Sequence, residues 1–216
     1  MSRVLKYNIP GEDWRLTPET ARRRVDEGGW PALFAGPAPP PKRLILDIGF
    51  GRGEFLMALA RGAPESGFLG IEISFKRALK MARRLARSEV RNVRLVEASA
   101  QQVVALLPPN SVACCWINFP DPWPKKRHHR RRLIEPSFVG DLAGRLEPEG
   151  LIHIATDHCE YAEVAEAVLA AESRLENVYA PERFRSSVPG RQRTAYESEW
   201  LAQGRSLRFF SYRRIV

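Results

Sequence analysis

Leu44-Ile-Leu-Asp47-Ile-Gly49-Phe-Gly51-Arg-Gly53-Glu54 is the stretch that decides how this chain is organised. A short apolar run that meets an acid and then three close glycines reads as a buried strand turning sharply into a helix near Glu54. Outward from it, apolar runs at 44–48, 68–73, 93–97, 112–119 and 151–155 are expected as strands. Helical spacing fills 54–61, 75–87, 100–107, 133–146 and 160–172 between them. This alternation specifies an α/β fold, a doubly wound and mostly parallel sheet with helices on both faces. Residues 205–214 are expected to supply the final strands. Residues 1–41 read as a basic N-terminal extension, helical around 17–27 with Pro18 at the helix start. It ends in a stiff linker of Pro37, Pro39, Pro40 and Pro41, leaving 42–216 as the main domain.

Composition narrows the partners. The chain has 216 residues and a net charge of +9, with a pI of about 9.9, the electrostatic signature of a polyanion partner. Cys114 and Cys115 are adjacent on an expected strand and point to opposite faces, and Cys159 is remote. Neither a disulfide framework nor a metal site is expected from that spacing. No apolar run reaches the roughly 18 residues of a membrane span, and residues 1–14 lack a signal-peptide core. A cytoplasmic location is therefore expected.

The glycine spacing discriminates between cofactors. Gly49, Gly51 and Gly53 give Gly-x-Gly-x-Gly, not the Gly-x-Gly-x-x-Gly of dinucleotide-binding loops. A pyrophosphate favours a neutral or positive surround at a helix N-terminus, whereas Asp47 places a negative charge there. S-adenosylmethionine carries a sulfonium and an ammonium and suits that charge. Glu72, at the end of the second strand, stands where an acid reaches ribose hydroxyls in such folds.

A second stretch, Asn118-Phe-Pro-Asp-Pro-Trp-Pro-Lys-Lys-Arg-His-His-Arg-Arg-Arg132, follows the fourth strand. Pro120, Pro122 and Pro124 remove backbone donors and fix φ, so the loop is stiff and Asp121 sits in a rigid frame. Six Lys/Arg and two His fill 125–132 as a cationic arm. The expected helix at 75–87 presents Lys76, Arg77, Lys80, Arg83, Arg84 and Arg87 with no acid among them, a self-repelling face that phosphates would relieve.

With these elements together, the chain resembles the bacterial tRNA (guanine-N7-)-methyltransferase family from Arg43 to the C-terminus, most specifically in Phe119-Pro-Asp-Pro-Trp-Pro-Lys125. The resemblance implies a class I, Rossmann-like methyltransferase fold with a seven-stranded sheet. It also implies S-adenosylmethionine as cofactor and tRNA as partner, with methylation of the variable-loop guanosine, guanosine 46. Asp47 and Glu72 match cofactor-binding acids, alongside Gly49, Gly51 and Gly53. Asp121 matches the acid shared by cofactor and acceptor chemistry, the catalytic candidate. Lys125, Asp157 and Thr194-Ala195-Tyr196-Glu197 match substrate-binding positions. Two positions depart from the pattern: Ser99 stands where an Asp or Asn usually contacts adenine, and His158 replaces an Asn beside Asp157. Either a monomer or a homodimer is compatible with the family.

Guanine N7 has an in-plane lone pair and no proton, so methylation there needs placement and no general base. The product purine is cationic, and Asp121 can stabilise that charge or accept from the guanine N1 and N2 edge, with Thr194 and Glu197 holding the base. Trp123 has two open roles, a stacking surface for an extruded base or a pin between loop and core. Residues 125–132, the 75–87 helix, Arg183, Arg185, Arg191 and Arg193 are expected on phosphates. The alternatives are a methyltransferase acting on an exocyclic amine and a non-catalytic RNA-binding module.

Overall fold

In the computed structural model, which describes residues 8–36 and 39–215, the five apolar runs lie side by side in one sheet. Its strands are β1 (Arg15–Leu16), β2 (Arg43–Ile48), β3 (Ser66–Ile71), β4 (Val93–Val96), β5 (Val112–Asn118), β6 (Leu146–Thr156), β7 (Leu175–Asn177) and β8 (Arg208–Arg214). The order is β1-β4-β3-β2-β5-β6-β8-β7. Every neighbouring pair is parallel except those made by β8 with β6 and with β7. The helices are α1 (Pro18–Gly28), α2 (Glu54–Gly62), α3 (Phe75–Ala86), α4 (Ala100–Val104), α5 (Pro136–Arg145), α6 (Cys159–Ala171) and α7 (Ala195–Ala202).

Both faces are covered, as a parallel sheet requires. Leu56 and Met57 of α2 and Ala78, Met81 and Leu85 of α3 pack on Phe68 and Leu95. On the other face α4, α5 and α6 bury Val103, Phe138, Leu142, Tyr161 and Leu169 against Leu44, Leu46 and Ile117.

The sheet has eight strands, one more than the seven that the resemblance implied. The added strand, β1, comes from the N-terminal segment: Arg15 and Leu16 pair with Leu95 and Val96 on the open edge of β4. Behind it the Thr17 hydroxyl caps α1, accepting from Thr20 N at 3.1 Å, and Leu33 and Phe34 enter the main core. Of the prolines expected as a linker, Pro37 lies outside the described residues.

Three boundaries move for local reasons. Pro136 occupies the first turn of α5, so that helix starts there and not at 133. β6 begins at Leu146, because Glu149 with φ of 65° and the following glycine let the strand continue through a bend expected as a loop. The C-terminal segment 205–214 yields one strand, β8, and its neighbour β7 is a three-residue edge.

The architecture fixes where a ligand can sit. From β2 the chain winds outward through β3 and β4 on one side, then returns to place β5 and β6 on the other. The reversal between β2 and β5 leaves a crevice at their carboxyl ends, the usual ligand position in open α/β sheets.

Candidate active site

A cavity of about 360 Å³ opens at that crevice, and eight of the candidate catalytic, cofactor-binding and substrate-binding residues line it, Asp47, Gly49, Gly51, Asp121, Asp157, Thr194, Ala195 and Tyr196, together with His158 and Arg77. Those eight come from four separate parts of the chain, which the topology gathers at one sheet edge.

The first wall is the glycine loop. Gly53 has φ of 76° at the N-cap of α2, and a Cβ there would lie 2.3 Å from the Met81 sulfur, so only glycine fits. Glu72 holds the loop in shape: it accepts from Gly51 N at 3.1 Å and from Ser74 N at 3.0 Å, with Arg77 at 3.6 Å. Asp47 is buried at the end of β2, and its Oδ2 has no partner among the described residues. Burial pushes its carboxyl up to about 7, opposed by the Arg191 cation and reinforced by Glu72. A desolvated carboxylate with an unpaired oxygen fits a cationic group brought into the cavity, which would pair it.

The second wall is the proline loop. It leaves β5 at Asn118, and Phe119 and Trp123 take φ of 53° and 43°, costly for non-glycine residues and held by surrounding contacts. Phe119 N donates to Ala155 O at 2.8 Å, and its ring meets Trp200 edge-on at 4.9 Å. Arg132, with a side chain only 5% exposed, donates to Pro122 O at 2.8 Å and to Glu160 at 3.0 Å. It therefore braces the loop from below and is not part of an exposed arm, which corrects the expectation that all of 125–132 meets phosphates. Lys126–Arg131 form a 3-10 turn. Trp123 packs on that turn, edge-on to His128 at 5.7 Å and under the Arg131 guanidinium at 5.0 Å. It does not enter the core. Asp121 stays exposed at the rim.

The third wall is the start of α7. Thr194 caps the helix, accepting from Glu197 N at 3.0 Å, and the Glu197 side chain returns to Thr194 N at 3.4 Å. Glu197 is buried and paired with Arg191, whose side chain is 6% exposed. Glu197 thus caps α7 and pairs a buried charge, and it lies outside the cavity lining. Arg191 leaves the phosphate-contacting set, because no backbone phosphate reaches a buried guanidinium. Arg52 joins this wall to the glycine loop, bonding Glu199 at 2.8 Å and lying over the Tyr196 ring at 5.3 Å.

Asp157 closes the fourth side, bonded to Arg205 at 2.6 Å. His158 caps α6, its Nδ1 accepting from Tyr161 N at 3.3 Å, so an imidazole does there what a short polar side chain ordinarily does. Several expected positions lie outside the cavity lining. Lys125 is exposed at the start of the 3-10 turn. Ser99 caps α4 in a reciprocal pair with Gln102, Gly53 closes the glycine loop at the N-cap of α2, and Glu72 follows β3 and holds that loop through Gly51 N.

The cationic surface is less self-repelling than its sequence suggests. Remote acids answer α3: Glu72 pairs Arg77 and Glu54 pairs Arg84 at 3.2 Å. Arg183 is engaged by Glu163 and Glu166 at 3.0 and 2.6 Å. Trp200 and Arg205 also line the cavity, although the sequence singles out neither of them for the site. Nothing in their local sequence marks them, since their place depends on where distant strands end.

Comparison with known proteins finds relatives over most of the chain. A protein-family model described as "Putative methyltransferase" matches residues 41–209. The tRNA (guanine-N(7)-)-methyltransferase of Halorhodospira halophila is 37% identical, covering 92% of this chain and 90% of its own. That of Alkalilimnicola ehrlichii is 38% identical over 93% and 89%. Among solved structures, the 16S rRNA methyltransferase KamB shares the fold with a TM-score of 0.60 at 16% identity, covering 82% of this chain and 89% of that one. The chain belongs to the tRNA (guanine-N(7)-)-methyltransferase family.

Proposed function

We propose that the protein is a cytoplasmic enzyme that transfers a methyl group from S-adenosylmethionine to N7 of a guanosine in tRNA, guanosine 46 of the variable loop. The observation that carries this reading is the buried, unpaired carboxylate of Asp47 facing the same cavity that Asp121 rims. One acid suits a cationic methyl donor, and the other stands on the side from which a base would enter.

Bound there, S-adenosylmethionine would supply a sulfonium-activated methyl group to the N7 lone pair, with the C–S bonding electrons left on sulfur. Asp47 would pair the ligand ammonium, and Glu72 would accept from the ribose hydroxyls with the lone pairs left free by Gly51 and Ser74. Because N7 carries no proton, the remaining task is orientation, worth several of the roughly 7–11 kcal/mol available from fixed geometry. The purine becomes positive as it is methylated, and Asp121 on its braced loop stabilises that charge. Thr194, Ala195 and Tyr196 form the opposite wall against the base. Lys125 and the exposed Lys126–Arg131 turn grip phosphates, with α3 extending the same surface.

The test is incubation of the protein with an unmodified tRNA transcript and methyl-labelled S-adenosylmethionine, followed by identification of the labelled nucleoside. Label in 7-methylguanosine is expected. Label in N6-methyladenosine would move the enzyme to the exocyclic-amine class, and no label would leave the RNA-binding module.

A further inference from the structure

Arg191 is the least expected residue of the site. It comes from the loop between β7 and α7, yet its guanidinium is enclosed by the rings of Phe209, Phe55 and Trp116 at 4.9, 5.4 and 5.6 Å. It donates to the carboxylate of Glu197 and to Oδ1 of Asn118. A guanidinium has donors only, so the Asn118 atom facing it must be the carbonyl oxygen. The amide nitrogen is then turned away, buried and without a partner among the described residues. Arg191 thus sets the orientation of the residue at which the proline loop leaves β5.

We infer that Arg191 is a positioning residue for methyl transfer. By bridging Asn118 to Glu197 it fixes the separation between the loop that carries Asp121 and the Thr194–Tyr196 wall. This rests on the methyl-transfer reading above and adds to it a residue that touches neither cofactor nor base. Only a planar fork spans the two partners at once: an ammonium at the same place is a point donor on a narrower reach. The same cation also faces Asp47, whose other charged or titratable neighbours are Glu72 and the Cys115 thiol. Arg191 therefore helps keep Asp47 ionised for a cationic ligand.

Removing Arg191 alone leaves the buried Glu197 carboxylate with only the exposed Arg193, at 4.0 Å, so two variants that avoid this form the test. Arg191→Lys keeps the charge and removes the fork; kcat is expected to fall roughly ten- to a hundredfold, with KM for tRNA and the Kd for S-adenosylmethionine within about threefold of wild type. Arg191→Gln combined with Glu197→Gln removes both buried charges. In it, the rise of S-adenosylmethionine affinity as Asp47 ionises is expected at higher pH than in wild type. A folded Arg191→Lys variant with kcat within about threefold of wild type overturns the inference while the methyl-transfer reading stands. An unchanged pH midpoint in the double variant, with losses that track melting temperature, also overturns it. A wild-type protein that makes no 7-methylguanosine overturns the underlying reading instead.

Discussion

Two arginine-rich segments of this chain look alike in sequence and do opposite things in the fold. Lys126–Arg131 is a short, exposed 3-10 turn whose cations point to solvent. In the segment 183–193 it is Arg191 that turns inward, enclosed by three aromatic rings, while Arg183 stays exposed and is held by two glutamates of α6. Composition assigns both to RNA. What separates them is supplied elsewhere, by acids and rings that other strands and helices bring to one segment and not to the other. Arg132 shows the boundary at a single residue, since it adjoins the exposed turn yet lies buried under Pro122.

The contrast can be broken at several points. Arg191→Met leaves the buried Glu197 with only the exposed Arg193, at 4.0 Å, as a cation, and a decrease of about 3 kcal/mol is expected in thermal or urea unfolding. Stability within error of wild type would mean that the pair is solvated.

Asp47 sits across from Arg191 and is expected to respond in the opposite direction. Its carboxyl is raised to about 7 from an ordinary value of 3.8. A raised acid stabilises the fold least where it is ionised: the penalty is absent below about pH 4, grows as pH rises, and is complete above about 7. Asp47→Asn removes it, and should stabilise the ligand-free protein at pH 8 by about 2–4 kcal/mol while weakening S-adenosylmethionine binding. Equal melting at pH 8 and at pH 5 for wild type and variant would show that Asp47 is solvated.

The exposed segment should behave differently. Replacing Lys126, Arg127 and Arg130 together with Gln is expected to leave melting unchanged. It should reduce the log-log salt slope of tRNA binding by roughly 0.7–0.9 for each phosphate that is no longer neutralised. A slope equal to that of wild type would remove the arm from the RNA interface. The smallest effect is expected from Arg183→Gln, an exposed pair whose removal should change neither melting nor tRNA affinity measurably.

Much of the fold is legible because parallel strands buried on both faces must be short continuous apolar runs, and β2 to β6 are such runs. The elements that escape are those without that requirement. β1 and β7 are two- and three-residue edges. In α7 only Glu197 is fully buried, so it carries no apolar stripe. Within the site, Asp47, the three glycines and Asp121 can be picked out because a tight turn, a cationic ligand and a developing positive charge each demand particular residue types. Arg191 cannot, because an arginine in a basic tail acquires its role only from Phe55, Trp116 and Phe209, which lie far away in sequence. The capping role of Thr194 and Glu197 is written in their three-residue spacing, the capping-box pattern, whereas the family resemblance points instead to a base.

The central claim is that Asp121 acts on a base held in this cavity while other parts of the chain hold the tRNA. The direct measurement is single-turnover transfer of labelled methyl to an unmodified tRNA transcript by wild type and Asp121→Ala, with tRNA affinity measured in parallel. The expected result is 7-methylguanosine from wild type, and transfer abolished in the variant with tRNA affinity nearly intact. Undiminished transfer by Asp121→Ala, or a collapse of tRNA binding along with activity, would contradict it.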